Sequence, residues 1–150
     1  MDEPTAFDLL LVEDNPEDLE LEMRALRKAN VAHRVKVARD GAEALDWIFG
    51  HGAHAGLDSG QLPKVVLLDL KLPRIDGLEV LRRMKADPRT EKIPVVVLTS
   101  SKEQRDIVDT YRLGVNSYIV KPVNFESFTA AVRDLGLYWL LLNQPPSPRL

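Results

Sequence analysis

The stretch Val65-Val66-Leu67-Leu68-Asp69-Leu70-Lys71-Leu72-Pro73 sets four large apolar residues in a row, stops them on a carboxylate and then turns into a loop. A short apolar run rich in β-branched residues and closed by a loop signal is expected of a strand covered on both faces, as in a parallel sheet. An acid at the end of such a strand either caps the following loop or does chemistry. Asp is so common in loops that this residue alone does not decide between the two.

Upstream, Leu9-Leu10-Leu11-Val12 repeats the pattern and ends on Glu13 and Asp14. Asn15-Pro16-Glu17-Asp18 then predicts a helix, with Asn15 as N-cap, Pro16 in the first helical position and acids where the helix dipole favours them. Leu19, Met23 and Leu26 give that helix an apolar face. Val31 to Ala38 alternates weakly and reads as a strand nearer the sheet edge, and Asp40-Gly41-Ala42-Glu43 has capping-box spacing for a second helix through Phe49. Gly50 to Pro63 is a long glycine-containing loop with His51 and His54. Without flanking ligands these histidines read as solvent-exposed rather than metal-binding.

Downstream, Asp76-Gly77-Leu78-Glu79 predicts a third helix to about Ala86. Ile93 to Leu98 predicts a fourth strand with Pro94 at its start, ending on Thr99-Ser100-Ser101. Ser101-Lys102-Glu103-Gln104 is expected to cap a fourth helix, Val115 to Val120 to form a fifth strand ending on Lys121-Pro122, and Asn124 to cap a last helix through Phe128, Val132, Leu135 and Trp139. Five strands alternating with five helices predict an α/β fold, a doubly wound parallel sheet. Ligands of such sheets sit beyond the carboxyl ends of the strands, at a topological switch point.

The totals suit one soluble domain: 150 residues, 45% hydrophobic, 29% charged and net charge −3. A weakly acidic chain is a poor match to nucleic acid, whose phosphates call for clustered Lys and Arg. With no cysteine, disulfides, thiolate metal sites and thiol nucleophiles are excluded. No signal peptide or membrane span is legible, so a cytoplasmic location is expected.

On the expected ligand edge stand Glu13, Asp14, Asp69, Thr99 and Lys121. Three carboxylates in one crevice repel one another unless a cation neutralises them, and an oxygen-only set with room for water suits Mg²⁺. Lys121 and the Thr99 hydroxyl supply a charge and a donor for phosphoryl oxygens. A carboxylate can accept a phosphoryl group itself, and Asp69 is assigned that role.

The acid pair Glu13-Asp14, Asp69 in VVLLDLKLPRIDG, Thr99 in VVVLTSS, and Tyr118 and Lys121 in SYIVKP together resemble the signature of response-regulator receiver domains, over about Asp8 to Leu135. The resemblance implies a flavodoxin-like sheet in the order 2-1-3-4-5 and a phosphoryl group accepted on Asp69 from a sensor histidine kinase. It implies Mg²⁺ held by Asp14, Asp69 and the main-chain carbonyl of Lys71, with Glu13 acting through water. Thr99 and Tyr118 become a switch pair, Lys121 contacts the phosphoryl group, and Lys121-Pro122 is a cis peptide. Lys71 departs from chemotaxis-type receivers, which carry a shorter polar residue there, and this bears on the lifetime of the phosphoryl group.

The long loop and the segment Tyr138 to Pro146 resemble the single-domain regulators that serve bacterial phytochrome histidine kinases. A receiver domain over residues 1–143 and a proline-rich tail over 144–150 are expected, with no output module, so that the output is a protein partner or the protein is an intermediate phosphorelay carrier. Leu137, Tyr138, Leu140 and Leu141 fall off the sheet-facing side of the last helix and predict a homodimer face.

Three competing readings fit less well. A haloacid-dehalogenase-like phosphatase, a turnover enzyme, needs a second Asp where Lys71 stands. In a flavodoxin-like FMN binder Glu13-Asp14 repels the phosphate. A degenerate receiver lacks a site residue, and none is missing here.

Overall fold

In the computed structural model, which describes residues 9–29, 35–50, 62–121 and 124–137, the apolar runs form strands and the segments between them form helices. The order is β1 (Leu9–Val12), α1 (Pro16–Lys28), β2 (Val35–Ala38), α2 (Gly41–Phe49), β3 (Val65–Leu68), α3 (Gly77–Ala86), β4 (Val95–Thr99), α4 (Gln104–Arg112), β5 (Ser117–Val120) and α5 (Phe125–Leu137). All strand pairs are parallel and the sheet runs β2-β1-β3-β4-β5. The order reverses between β1 and β3, the switch point at which such sheets bind ligands.

Alternation of side chains along the strands divides the core into two layers. Leu10, Val12, Val66, Leu68, Val95 and Val97 face α2 and α3, where Leu45, Ile48, Leu81 and Met84 complete the packing. Leu9, Leu11, Val65, Leu67, Val96 and Leu98 face α1 and α5 through Ala25, Leu26, Phe128 and Val132. Burying one Leu or Val side chain is worth about 1.5–3 kcal/mol. β1, β3 and β4 are buried throughout, so the residues at their carboxyl ends hang from the most firmly held part of the molecule.

Caps fix where the helices begin. Asn15 accepts from Asp18 N at 2.9 Å, with Pro16 in the first turn. Asp40 accepts from Glu43 N at 2.7 Å, and Glu43 Oε1 in turn accepts from Arg39 N at 2.9 Å. Asp76 accepts from Glu79 N at 3.0 Å, but the Glu79 carboxylate pairs outward with Arg82 and Arg83, so this cap is one-sided. Asn124 caps α5 through Ser127 N at 2.7 Å. Gly77 admits no side chain, because a Cβ there would lie 2.1 Å from the Asp69 carbonyl oxygen. The close approach sets α3 directly against the backbone of Asp69.

Two local expectations are corrected. Ser101 does not cap α4: the N-cap is Glu103, without a side-chain bond, while the Ser101 hydroxyl donates to Asp106 Oδ2 at 2.5 Å and accepts from Glu103 N at 3.3 Å. β5 begins at Ser117 rather than Val115, because Asn116 makes the entry to the ladder, its side chain accepting from Val95 N at 3.0 Å and its N–H donating to Val95 O at 2.8 Å. The start of the expected second strand at Val31, the loop with His51 and His54, the Lys121-Pro122 bond and the segment from Tyr138 through the proline-rich tail lie outside the described residues.

Candidate functional site

Every strand-end residue singled out from the sequence reaches the same edge of the sheet. Asp69 extends the ladder past β3, its N–H donating to Val12 O at 3.1 Å, and Glu13 does the same past β1, donating to Ala38 O at 2.9 Å. Lys121 N donates to Thr99 O at 2.8 Å, which aligns the ends of β4 and β5. This edge therefore gathers residues from the carboxyl ends of four strands.

The Lys121 ammonium is the hub. Its Nζ lies 2.8 Å from Glu13 Oε1, 2.8 Å from Asp18 Oδ2 and 3.0 Å from Asp69 Oδ2. Burial by itself would lower the pKa of this lysine, but the hydrogen bonds it donates to Asp18 and Glu13 and the charge of Asp69 outweigh it and raise the pKa, so the ammonium stays charged. Asp69 Oδ1 accepts from Lys71 N at 3.1 Å, which lays the Lys71 peptide group beside the carboxylate.

Carboxylate oxygens of Glu13, Asp14 and Asp69 lie within 4.8 Å of one another. Glu13 and Asp69 are buried and Asp14 is exposed at the rim. With Asp18, the site sets four carboxylates against the Lys121 ammonium, which leaves a negative surplus. An all-oxygen donor set with that surplus and one solvent-facing member fits a small hard divalent cation that keeps part of its water.

Two acids at the site were missed in the sequence. Asp18 reads as a first-turn dipole acid, yet it also binds Lys121. Glu22, one turn further along α1, is 2% exposed. Its carboxyl is in hydrogen-bonding contact with Glu13, and burial, followed by that contact, raises its pKa to about 10. Its Oε1 is buried without a partner among the described residues. Burial also raises the pKa of Glu13, while hydrogen bonds from Glu22 and Lys121 oppose the rise. Two touching carboxyls of this kind hold a proton on one member, here Glu22. The available signal is the spacing, since Asp18 and Glu22 lie four apart on a helix that opens at the site edge.

Thr99 is fully buried, and its Oγ1 accepts from Ser101 N at 3.4 Å. The Tyr118 hydroxyl donates to Ser101 O at 3.1 Å, and desolvation raises its pKa. Thr99 and Tyr118 thus grip the same loop from two sides. The Lys71 ammonium turns to Asp106 Oδ2, 3.7 Å away.

Comparison with known proteins agrees with this arrangement. The family model described as the response regulator receiver domain matches residues 9–133. The chain is 43% identical over 142 residues to the probable methanogenesis regulatory protein FilR2 of Methanothrix harundinacea, covering 95% of this chain and 89% of that one. The crystal structure of the phosphorylated cyanobacterial phytochrome response regulator RcpA superposes with a TM-score of 0.81 at 39% identity, covering 95% of this chain and 99% of that one. The bacteriophytochrome response regulator AtBRR superposes with a TM-score of 0.73 at 53% identity, covering 94% of this chain and all of that one (100%).

Proposed function

The chain belongs to the response regulator receiver family, and from that premise we propose that it accepts a phosphoryl group on Asp69 from a sensor histidine kinase and thereby switches its binding to a protein partner. The observation that carries this reading is the Lys121 ammonium held between Asp69, Glu13 and Asp18 at 2.8–3.0 Å. A fixed cation beside a strand-end carboxylate is the arrangement a transferring phosphoryl group needs.

In the transfer, an Asp69 carboxylate oxygen forms the new O–P bond as the P–N bond to the kinase histidine breaks. The imidazole keeps the electron pair and is protonated from solvent. Lys121 faces the equatorial phosphoryl oxygens, and the Lys71 N–H, already on Asp69 Oδ1, orients the nucleophile. Asp14, Asp69 and the Lys71 main-chain carbonyl would hold Mg²⁺, with Glu13 acting through water. When bound, the ion offsets the charge of the carboxylates and of the incoming phosphoryl group. Glu22, whose pKa burial raises, keeps its proton beside Glu13.

The phosphoryl group then recruits the Thr99 hydroxyl, which at present accepts from Ser101 N. Tyr118, bound to the carbonyl of the same Ser101, follows that loop. The effect reaches α4, where Val108 and Tyr111 are exposed apolar residues suited to a partner contact.

The likeness to RcpA and AtBRR supports a phytochrome-type kinase as the phosphoryl donor. The apolar sequence Leu137, Tyr138, Leu140 and Leu141 supports a homodimer. Phosphotransfer from purified, radiolabelled kinases tests the assignment: rapid transfer from a phytochrome kinase is expected, and faster transfer from an unrelated kinase would contradict that partner.

A further inference from the structure

Asp106 stands outside the group of site residues, yet it joins the two loops that flank the phosphoacceptor pocket. Its Oδ2 accepts from the Ser101 hydroxyl at 2.5 Å and lies 3.7 Å from the Lys71 ammonium. Ser101 follows Thr99 by two residues and Lys71 follows Asp69 by two. The side chain of Asp106 is 13% exposed and that of Lys71 60% exposed. The acid is therefore largely enclosed, while the lysine is a long exposed cation paired at its tip.

We propose that Asp106 is a positioning residue of the phosphoryl site: it holds the Lys71 ammonium away from Asp69, so that attacking water reaches the phosphoryl group. The proposal rests on the receiver reading above. Lys71 is covalently next to the pocket and its N–H already bonds Asp69. The alternative partner for its ammonium, once Asp69 carries a phosphoryl dianion, is that dianion. An ammonium seated on the phosphoryl oxygens, with its four-carbon stem across the approach, excludes water and prolongs the phosphorylated state. Asp106 competes for the same cation. Its bond to Ser101 means that the competition is also felt at the first turn of α4, through Glu103 N on the Ser101 hydroxyl.

Asp106→Asn tests this, because the amide oxygen still accepts from Ser101 while the charge that holds Lys71 is gone. Loss of the phosphoryl group is followed after the donor is removed, in the wild type, D106N, K71M and the double variant. Partly exposed ion pairs are worth up to about 1 kcal/mol, so D106N is expected to lengthen the phosphoryl lifetime about two- to five-fold. In the K71M background the same change should have no effect. An equal change in both backgrounds, or none in either, would overturn the proposal.

Amide exchange in the unphosphorylated protein decides the bridge independently. K71M should speed exchange at Glu103 and Asp106 about two- to five-fold and leave β3 unchanged, and unaltered exchange at those amides would overturn the bridge. If none of the four proteins can be phosphorylated, the reading of Asp69 as phosphoacceptor fails and the exchange result still stands.

Discussion

The Lys121 ammonium lies 3.0 Å from Asp69 Oδ2, although 52 residues separate the two in the chain. The parallel sheet brings them together: each follows a strand, and both strands run to the same edge. Because Lys121 also bonds Glu13 and Asp18, its removal leaves three carboxylates in mutual repulsion.

Lys121→Met is therefore expected to destabilise the metal-free protein by about 1–3 kcal/mol, below the cost of orphaning a fully buried ion because Asp18 reaches solvent. Chemical denaturation in chelator measures this. Added Mg²⁺ should restore more stability to the variant than to the wild type, since it offsets the same charges. A variant as stable as the wild type in chelator would contradict the role of Lys121 as the hub.

Glu22 gives the protein a pH dependence of defined sign. Its ordinary pKa is 4.5 and its folded value is about 10. Between those values the folded state holds a proton that the unfolded state has lost, so the contribution of Glu22 is complete below about pH 4.5 and falls away as pH rises toward 10. Glu22→Gln removes this titration. Melting curves in chelator should show the variant more stable by about 1–3 kcal/mol at pH 8.5 and nearly equal to the wild type at pH 5. Parallel curves for the two proteins would contradict the buried proton.

Much of this site is legible in the sequence because it hangs from strands that announce themselves. Apolar runs ending at Glu13, Asp69, Thr99 and Lys121 need only the rule that parallel strands share an edge. Asp18 and Glu22 are harder to see. An acid on a helix reads as solvent-facing, and only the packing of α1 against the sheet turns Glu22 inward among Ala25 and Leu26. The misplaced cap at Ser101 has a similar origin. Spacing shows that its hydroxyl is near the start of α4, but the choice of Asp106 as its partner depends on the path of the loop.

Thr99→Ala is expected to keep phosphoryl acceptance and lose its consequence, because the hydroxyl that links the pocket to Ser101 is gone while Asp69 and Lys121 remain. Tyr118 would then stay on the Ser101 carbonyl in both states. Tyr118 fluorescence or side-chain NMR before and after phosphorylation provides the check. A full phosphorylation-dependent response in T99A would rule out this coupling.

The central claim is that Asp69 is the phosphoacceptor, and incubation with Mg²⁺ and radiolabelled acetyl phosphate tests it most directly. The wild type is expected to gain one phosphoryl group that is labile to acid and to alkali, as an acyl phosphate is, which chelator abolishes and which Asp69→Asn lacks while still folding by circular dichroism. Equal labelling of D69N and the wild type would contradict the account.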